Sequence, residues 1–162
     1  MRLAMGMAVL AALLVFAPPA AAQEDESNPE LERYIEAVEP ICQKDAARSE
    51  RILKGVRRKV MLDYTGVASR QFARAARAFR DTLRRIIAVP RPAEELVQFN
   101  TWITSLKGQL VMLRRISRTL LDRQRFKAQR QSIQLLRNAR QSNTVVADIE
   151  FNHCVLRPNK FL

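Results

Sequence analysis

Phe72, Ala76, Phe79, Leu83 and Ile86 step along the chain by four, three, four and three, while Arg70, Arg74, Arg77, Arg84 and Arg85 fall on the other side. At about 100° per residue this spacing gives an α-helix with one apolar face and one cationic face. Gly66 stands near its start. Pro90 and Pro92 stop it, because a residue preceding proline is pushed out of the α region.

The same period organises the rest of the chain. Ahead of that helix, Leu31, Ile35, Val38, Cys42, Ala46, Ile52, Val56 and Val60 recur at spacings near three and four, which predicts one apolar helical face from Leu31 to Val60. Asn28 before Pro29 reads as N-cap and first helical position, and Pro40 predicts a kink or a restart within the helix. A third helix is expected to open at Pro92, with Glu94 and Glu95 in its first turn complementing the helix dipole. It carries Leu96, Phe99, Ile103, Leu106, Leu110, Leu113 and Leu120, thickened by Trp102, Val111 and Ile116. A turn at Asp122 to Arg125 leads to a fourth helix with Phe126, Ile133, Leu136, Ala139, Val146 and Ile149 inward, ending near Leu156 before Pro158. Trp102 and Phe99 are expected as core rather than as a ligand platform.

Four helical segments, four glycines and no alternating pattern predict an all-α, antiparallel four-helix up-and-down bundle. In that topology the end of the fourth helix returns to the level of the first turns of helix one, while Cys42 lies about four turns in. The fourth helix must therefore stop short or bend for Cys154 to reach it.

The N-terminus supplies an address. Arg2, the apolar run Leu3 to Phe16, Pro18-Pro19 and Ala20-Ala21-Ala22 form a signal-peptide pattern with cleavage expected after Ala22. Residues 1–22 are thus read as a cleaved signal, 23–28 as a disordered acidic leader and 29–162 as the bundle domain, in an exported protein destined for the periplasm, the cell surface or the medium. Gln23 after the proposed cut argues against a lipoprotein. What remains is one domain's worth of chain, long enough to bury roughly two-thirds of its unfolded surface. Its only two cysteines, Cys42 and Cys154, are expected to form one structural disulfide in an oxidising compartment, worth about 4 to 5 kcal/mol on the chain-entropy estimate.

Catalytic signatures are sparse. His153 is the only histidine, and with Cys154 committed to a disulfide it lacks the partners that a triad or a tetrahedral metal site needs, so a solvated surface histidine is expected. Glu32 with Glu36, and Glu36 with Glu39, stand at helical spacing without a second supporting motif. Glycine-rich phosphate loops, Walker-type sequences and EF-hand loops are absent, as is any sequence-specific nucleic-acid motif. No cofactor and no enzymatic activity are expected.

Charge is the one feature that exceeds what a plain bundle needs. The formal net charge is +12, and the signal contributes a single arginine to it. Gln23 to Glu50 holds three basic and nine acidic residues, whereas Arg51 to Arg140 holds 22 basic and five acidic. Such asymmetry projects a positive field that concentrates polyanions, and it would also receive the chain's own acidic first helix. Arginine accounts for 22 of the 28 basic residues, which a GC-rich coding sequence also produces, and a solvated arginine face need not bind anything. Arg70, Arg74, Arg77, Arg84 and Arg85 are the candidate anion contacts, for an anionic polymer or an anionic lipid surface; docking of an envelope protein is the alternative. Oligomeric state is not legible.

With these segments placed, the chain resembles exported all-helical proteins of high-GC bacteria in which a signal peptide leads to a helix with a Tyr-x(n)-Ile-Cys element, here Tyr34 to Cys42, and a second cysteine near the end, here Cys154. The resemblance covers nearly the whole mature chain and implies no activity. Pro40 departs from it, standing where such a helix usually runs unbroken.

Overall fold

The computed structural model describes residues 28–147, 149 and 151–155. The expected signal peptide, its cleavage site and leader residues 23–27 lie outside them. Asn28, the last leader residue, is ordered as the N-cap of α1 (Pro29–Leu53), its Oδ1 accepting from the backbone N–H of Glu30 at 3.0 Å and of Leu31 at 3.3 Å. A one-and-a-half-turn α2 (Val56–Met61), α3 (Thr65–Ala88), α4 (Leu96–Leu121) and α5 (Arg125–Val145) follow. α1 packs on α3, α3 on α4 and α4 on α5, so four long helices make the expected up-and-down bundle. Among the described residues no helix is long and apolar enough to cross a membrane.

Three boundaries differ from the sequence reading. The first helical face does not run unbroken to Val60: α1 ends at Leu53, and Gly55 at φ 69° turns the chain into α2. Gln71 of α3 stabilises this break, its Nε2 donating to the carbonyls of Ile52 at 2.7 Å and Lys54 at 3.2 Å that the helix end leaves unpaired. Pro40 stands on the solvent side of α1, and the helix passes through it without a restart. α4 begins at Leu96 rather than Pro92, which is buried in the connection, and Glu94 and Glu95 accept from Asn28 Nδ2 at 3.0 and 3.2 Å instead of serving a first turn. α5 stops at Val145, not near Leu156, where Gln98 Nε2 donates to the Val145 carbonyl. Beyond it Val146, Ile149, Phe151 and Cys154 are buried against the core, which is the shortening that the disulfide requires.

Two turns lack glycine. Asp63 (φ 62°) and Arg123 (φ 57°) occupy the left-handed region. Each sits in a Schellman arrangement: Tyr64 and Asp63 donate to Lys59 and Val60, and Gln124 and Arg123 to Thr119 and Leu120. Four terminal carbonyls are satisfied in this way, offsetting the strain of a side chain at positive φ.

The α3 stripe Phe72, Ala76, Phe79, Leu83 and Ile86 is buried throughout. So are Phe99, Trp102, Ile103, Leu106, Leu110, Leu113, Ile116 and Leu120 of α4, although Leu96 and Val111 face solvent. Tyr34, Phe99, Trp102 and Phe151 form one aromatic cluster, with Tyr34 and Phe99 centroids 4.3 Å apart and Trp102 and Phe151 stacked at 5.5 Å. Burial pushes the Tyr34 phenol up to about 12, against a small opposing pull from Arg91. α3 and α4 cross closely at Ser69 and Ser117, whose hydroxyls each donate to the other's backbone carbonyl at 2.8 and 2.9 Å.

α5 departs most from expectation. Its inward residues are Ala128, Gln131, Leu135, Ala139 and Ser142, whereas Phe126 and Ile133 are exposed and Leu136 is half-buried. Those three line a surface groove beside Val56, Val60 and Met61 of α2. Apart from Leu135, α5 thus turns small and polar side chains inward and holds its other large apolar ones in the groove beside α2.

Candidate anion-binding groove

α1 and α3 lie side by side, and toward the end where α2 joins them an open groove of about 780 Å³ separates their outer edges. Arg70, Arg74 and Arg77 line it from α3, one helical turn apart. Arg48 and Arg51 face them from α1, and Lys59 closes the end from α2. The floor is Gln71, which caps α1 through its amide nitrogen and accepts from Lys59 Nζ at 3.0 Å through its oxygen, so one side chain fixes three helices in relation to one another.

Among the described residues no acidic one lines this groove. Among the described residues the ion pairs within 4.0 Å are Arg80 with Asp81 at 3.5 Å and His153 with Glu39 at 2.7 Å, neither in the groove. Six cations therefore face a common space without a carboxylate to neutralise them, a concentration of like charge that a multivalent anion relieves. The acidic first helix does not serve that purpose, as no carboxylate of α1 is ion-paired with an arginine or lysine of the described residues. Its Glu30 instead accepts from the Ala93 backbone at 3.3 Å.

All five expected arginines are exposed, but only three share the groove. Arg84 lies beyond it. Arg85 turns toward the buried pair Asp45 and Thr82, its Nη2 at 3.5 Å from Thr82 Oγ1. Arg48, Arg51 and Lys59 were not predicted, because they belong to other helices and only the packing of α1 and α2 on α3 brings them in.

The disulfide joins Cys42 to Cys154 as expected, with Cα atoms 4.9 Å apart. Beside it, His153 is more than a solvated residue. Its backbone N–H and that of Asn152 donate to the Glu39 carboxylate, and its Nδ1 stands 2.7 Å from Glu39 Oε2. Partial burial raises the Glu39 carboxyl, yet these hydrogen bonds from His153 and Asn152 outweigh it and hold the group below its ordinary range. The last described residues are thereby clasped to the middle of α1. Among the described residues no group of three or more His, Cys, Asp or Glu is placed to hold a metal.

No family model matches this chain, and no curated protein and no solved structure matches it either.

Proposed function

We propose that this is an exported, non-enzymatic bundle that binds an anionic polymer of the cell envelope or extracellular space through the groove between α1 and α3. The observation that carries this reading is the six-cation lining, drawn from three helices and, among the described residues, free of acids. Exposed charges farther apart than about 8 Å are largely screened at physiological salt, so a single phosphate gains little here. A polymer that places several anions in one groove gains from each and releases the counterions that the cations would otherwise hold.

The test is a salt series of binding isotherms on long-chain polyphosphate. With slopes of about 0.7–0.9 per neutralised phosphate, full engagement of the groove gives a log–log salt slope of roughly 4 to 5. Changing Arg48, Arg51 and Arg74 together to glutamine should lower that slope by about 2 to 3, while changing the exposed Arg84, Arg114 and Arg130 outside the groove should leave it nearly unchanged. No binding at low salt, or equal losses from both triple variants, overturns the groove and leaves only a solvated cationic surface.

A second reading is docking of an envelope protein. It is favoured by the exposed apolar residues Met61, Leu62, Tyr64, Leu121 and Phe126 around the turns at one end of the bundle. Retention of one defined protein that survives high salt and is lost in Phe126→Ser selects this reading over the first.

A further inference from the structure

α1 packs on α3 and α5 packs on α4, but α1 and α5 barely touch. Asn152 to Val155, tied to α1 by the disulfide, border a cavity of about 450 Å³ there, within the range of small-molecule sites and distinct from the cationic groove. Phe79, Trp102, Leu106 and Leu135 give it apolar walls, and its mouth opens between Ser49 and Glu50 of α1 and the residues around His153. Protein interiors leave few voids larger than a water molecule, and water in this one faces mostly hydrocarbon.

Polar side chains gather at its mouth, and deeper in, beside Thr82, two buried polar groups have hydrogen-bonding capacity left unmet. Gln109 of α4 is 3 % exposed, and its Nε2 has no hydrogen-bond acceptor. Asp45 of α1 is 7 % exposed; among the described residues its carboxylate accepts only from the Thr82 hydroxyl, at 2.8 Å, and no cation lies within ion-pair distance of it. Burial raises the Asp45 carboxyl, opposed by the Thr82 hydrogen bond and by the charges of Arg48 and Arg85. An unmet donor and an under-satisfied acceptor in one cavity are costly to leave buried, and a ligand that offers the complementary pair relieves both.

We propose that this cavity binds a neutral, single-headed amphiphile, with a hydroxyl or amide head donating to Asp45 and accepting from Gln109 and an apolar body lying along Trp102. A carboxylate head would meet Asp45 with like charge, and a plain hydrocarbon would leave both polar groups unmet. The site shares no residue with the anion-binding groove, so either can fail without the other.

Trp102 is the only tryptophan, so its fluorescence reports this cavity alone. The experiment titrates the purified oxidised protein with bromine-tagged dodecanol, and then displaces it with untagged dodecanol, dodecane, dodecylamine and dodecanoate. Saturable quenching is expected, with dodecanol displacing at least about tenfold better than the other three, the discrimination that one or two buried hydrogen bonds supply. Gln109→Leu keeps the volume and removes the donor; it should abolish the preference for dodecanol over dodecane, with unchanged circular dichroism as the folding control. Ala139→Leu, filling the cavity from α5, should remove quenching while preserving or raising the melting temperature. Absence of quenching, equal displacement by dodecane, or stronger displacement by dodecylamine overturns the proposal. The comparison of heads in the wild-type protein decides the matter even if the Gln109 variant does not fold.

Discussion

Opening the Cys42–Cys154 bond should leave the bundle folded yet remove about 5 kcal/mol from its stability. The bond closes a loop of 112 residues, and a loop of about 100 residues is worth about 4.7 kcal/mol of denatured-chain entropy. Whether the native state survives depends on what else holds the chain after α5. Phe151 is buried against Phe99 and Trp102, and truncating a buried phenylalanine costs about 3–5 kcal/mol, so this anchor persists without the sulfur bridge. The Glu39 carboxylate adds its hydrogen bonds to Asn152 and His153. The loss should therefore arise in the unfolded chain, which regains its freedom, and not in the folded one. Urea unfolding of the wild type and of the Cys42→Ala, Cys154→Ala double variant, followed by far-ultraviolet circular dichroism, measures it. With denaturant slopes of about 2 kcal/mol per molar, the midpoint should fall by roughly 2 to 3 M. A shift under about 0.5 M at equal slope means that the cross-link does not constrain the denatured ensemble, and loss of helical signal without denaturant means that the bond alone held the segment. Either result refutes the reasoning.

Gln71→Ala uncaps the end of α1 and frees Lys59, and should cost about 1–2 kcal/mol in thermal or chemical unfolding while loosening the groove enough to weaken polyphosphate binding. At the α3–α4 crossing, Ser69→Ala and Ser117→Ala should each cost about 1 kcal/mol, whereas Ser69→Leu should cost several because the crossing has no room for it; a tolerated leucine in unfolding curves contradicts that packing. The Glu39 clasp should be pH-sensitive in one direction. A carboxyl held below the ordinary glutamate value of 4.5 contributes fully above that value and loses its contribution as pH falls through the lowered folded value, so the stability gap between wild type and Glu39→Gln should shrink on acidification from about pH 5 to about pH 3; a gap that widens refutes the assignment.

Much of the fold was legible because α3 and α4 are buried along one unambiguous stripe, and a helix flanked on both sides displays its period in full. The disulfide was legible because two cysteines admit one pairing. α5 departs from its pattern for a physical reason: it packs chiefly on α4, with Leu135 as its one large core residue beside Ala128, Ala139 and Ser142, so Phe126, Ile133 and Leu136 record a groove shared with α2 instead of the core. Asp45 was hidden on α1 because a hydrophobic pattern counts a buried carboxylate as surface; its partner Thr82 is 37 residues away. Half of the cationic groove was visible as the α3 arginine face. The other half comes from Arg48 and Arg51, which the packing of α1 on α3 brings in, and from Lys59, whose place depends on the break at Gly55 and on the Gln71 bond that holds α2.

The placement of the two cysteines also sets a timetable. A ribosome adds about 5–20 residues per second, so Cys154 follows Cys42, 112 positions earlier, after something on the order of 10 s. During that interval α1 has already offered its apolar side and its thiol, while Phe151 and the residues that clasp Glu39 do not yet exist. With only two cysteines in the chain, an early bond at Cys42 has no wrong intramolecular partner; it must be made to another molecule. The oxidation hazard of this fold therefore scales with how crowded its surroundings are, and a tenfold dilution during oxidative refolding protects it more than any isomerase that shuffles bonds within one chain.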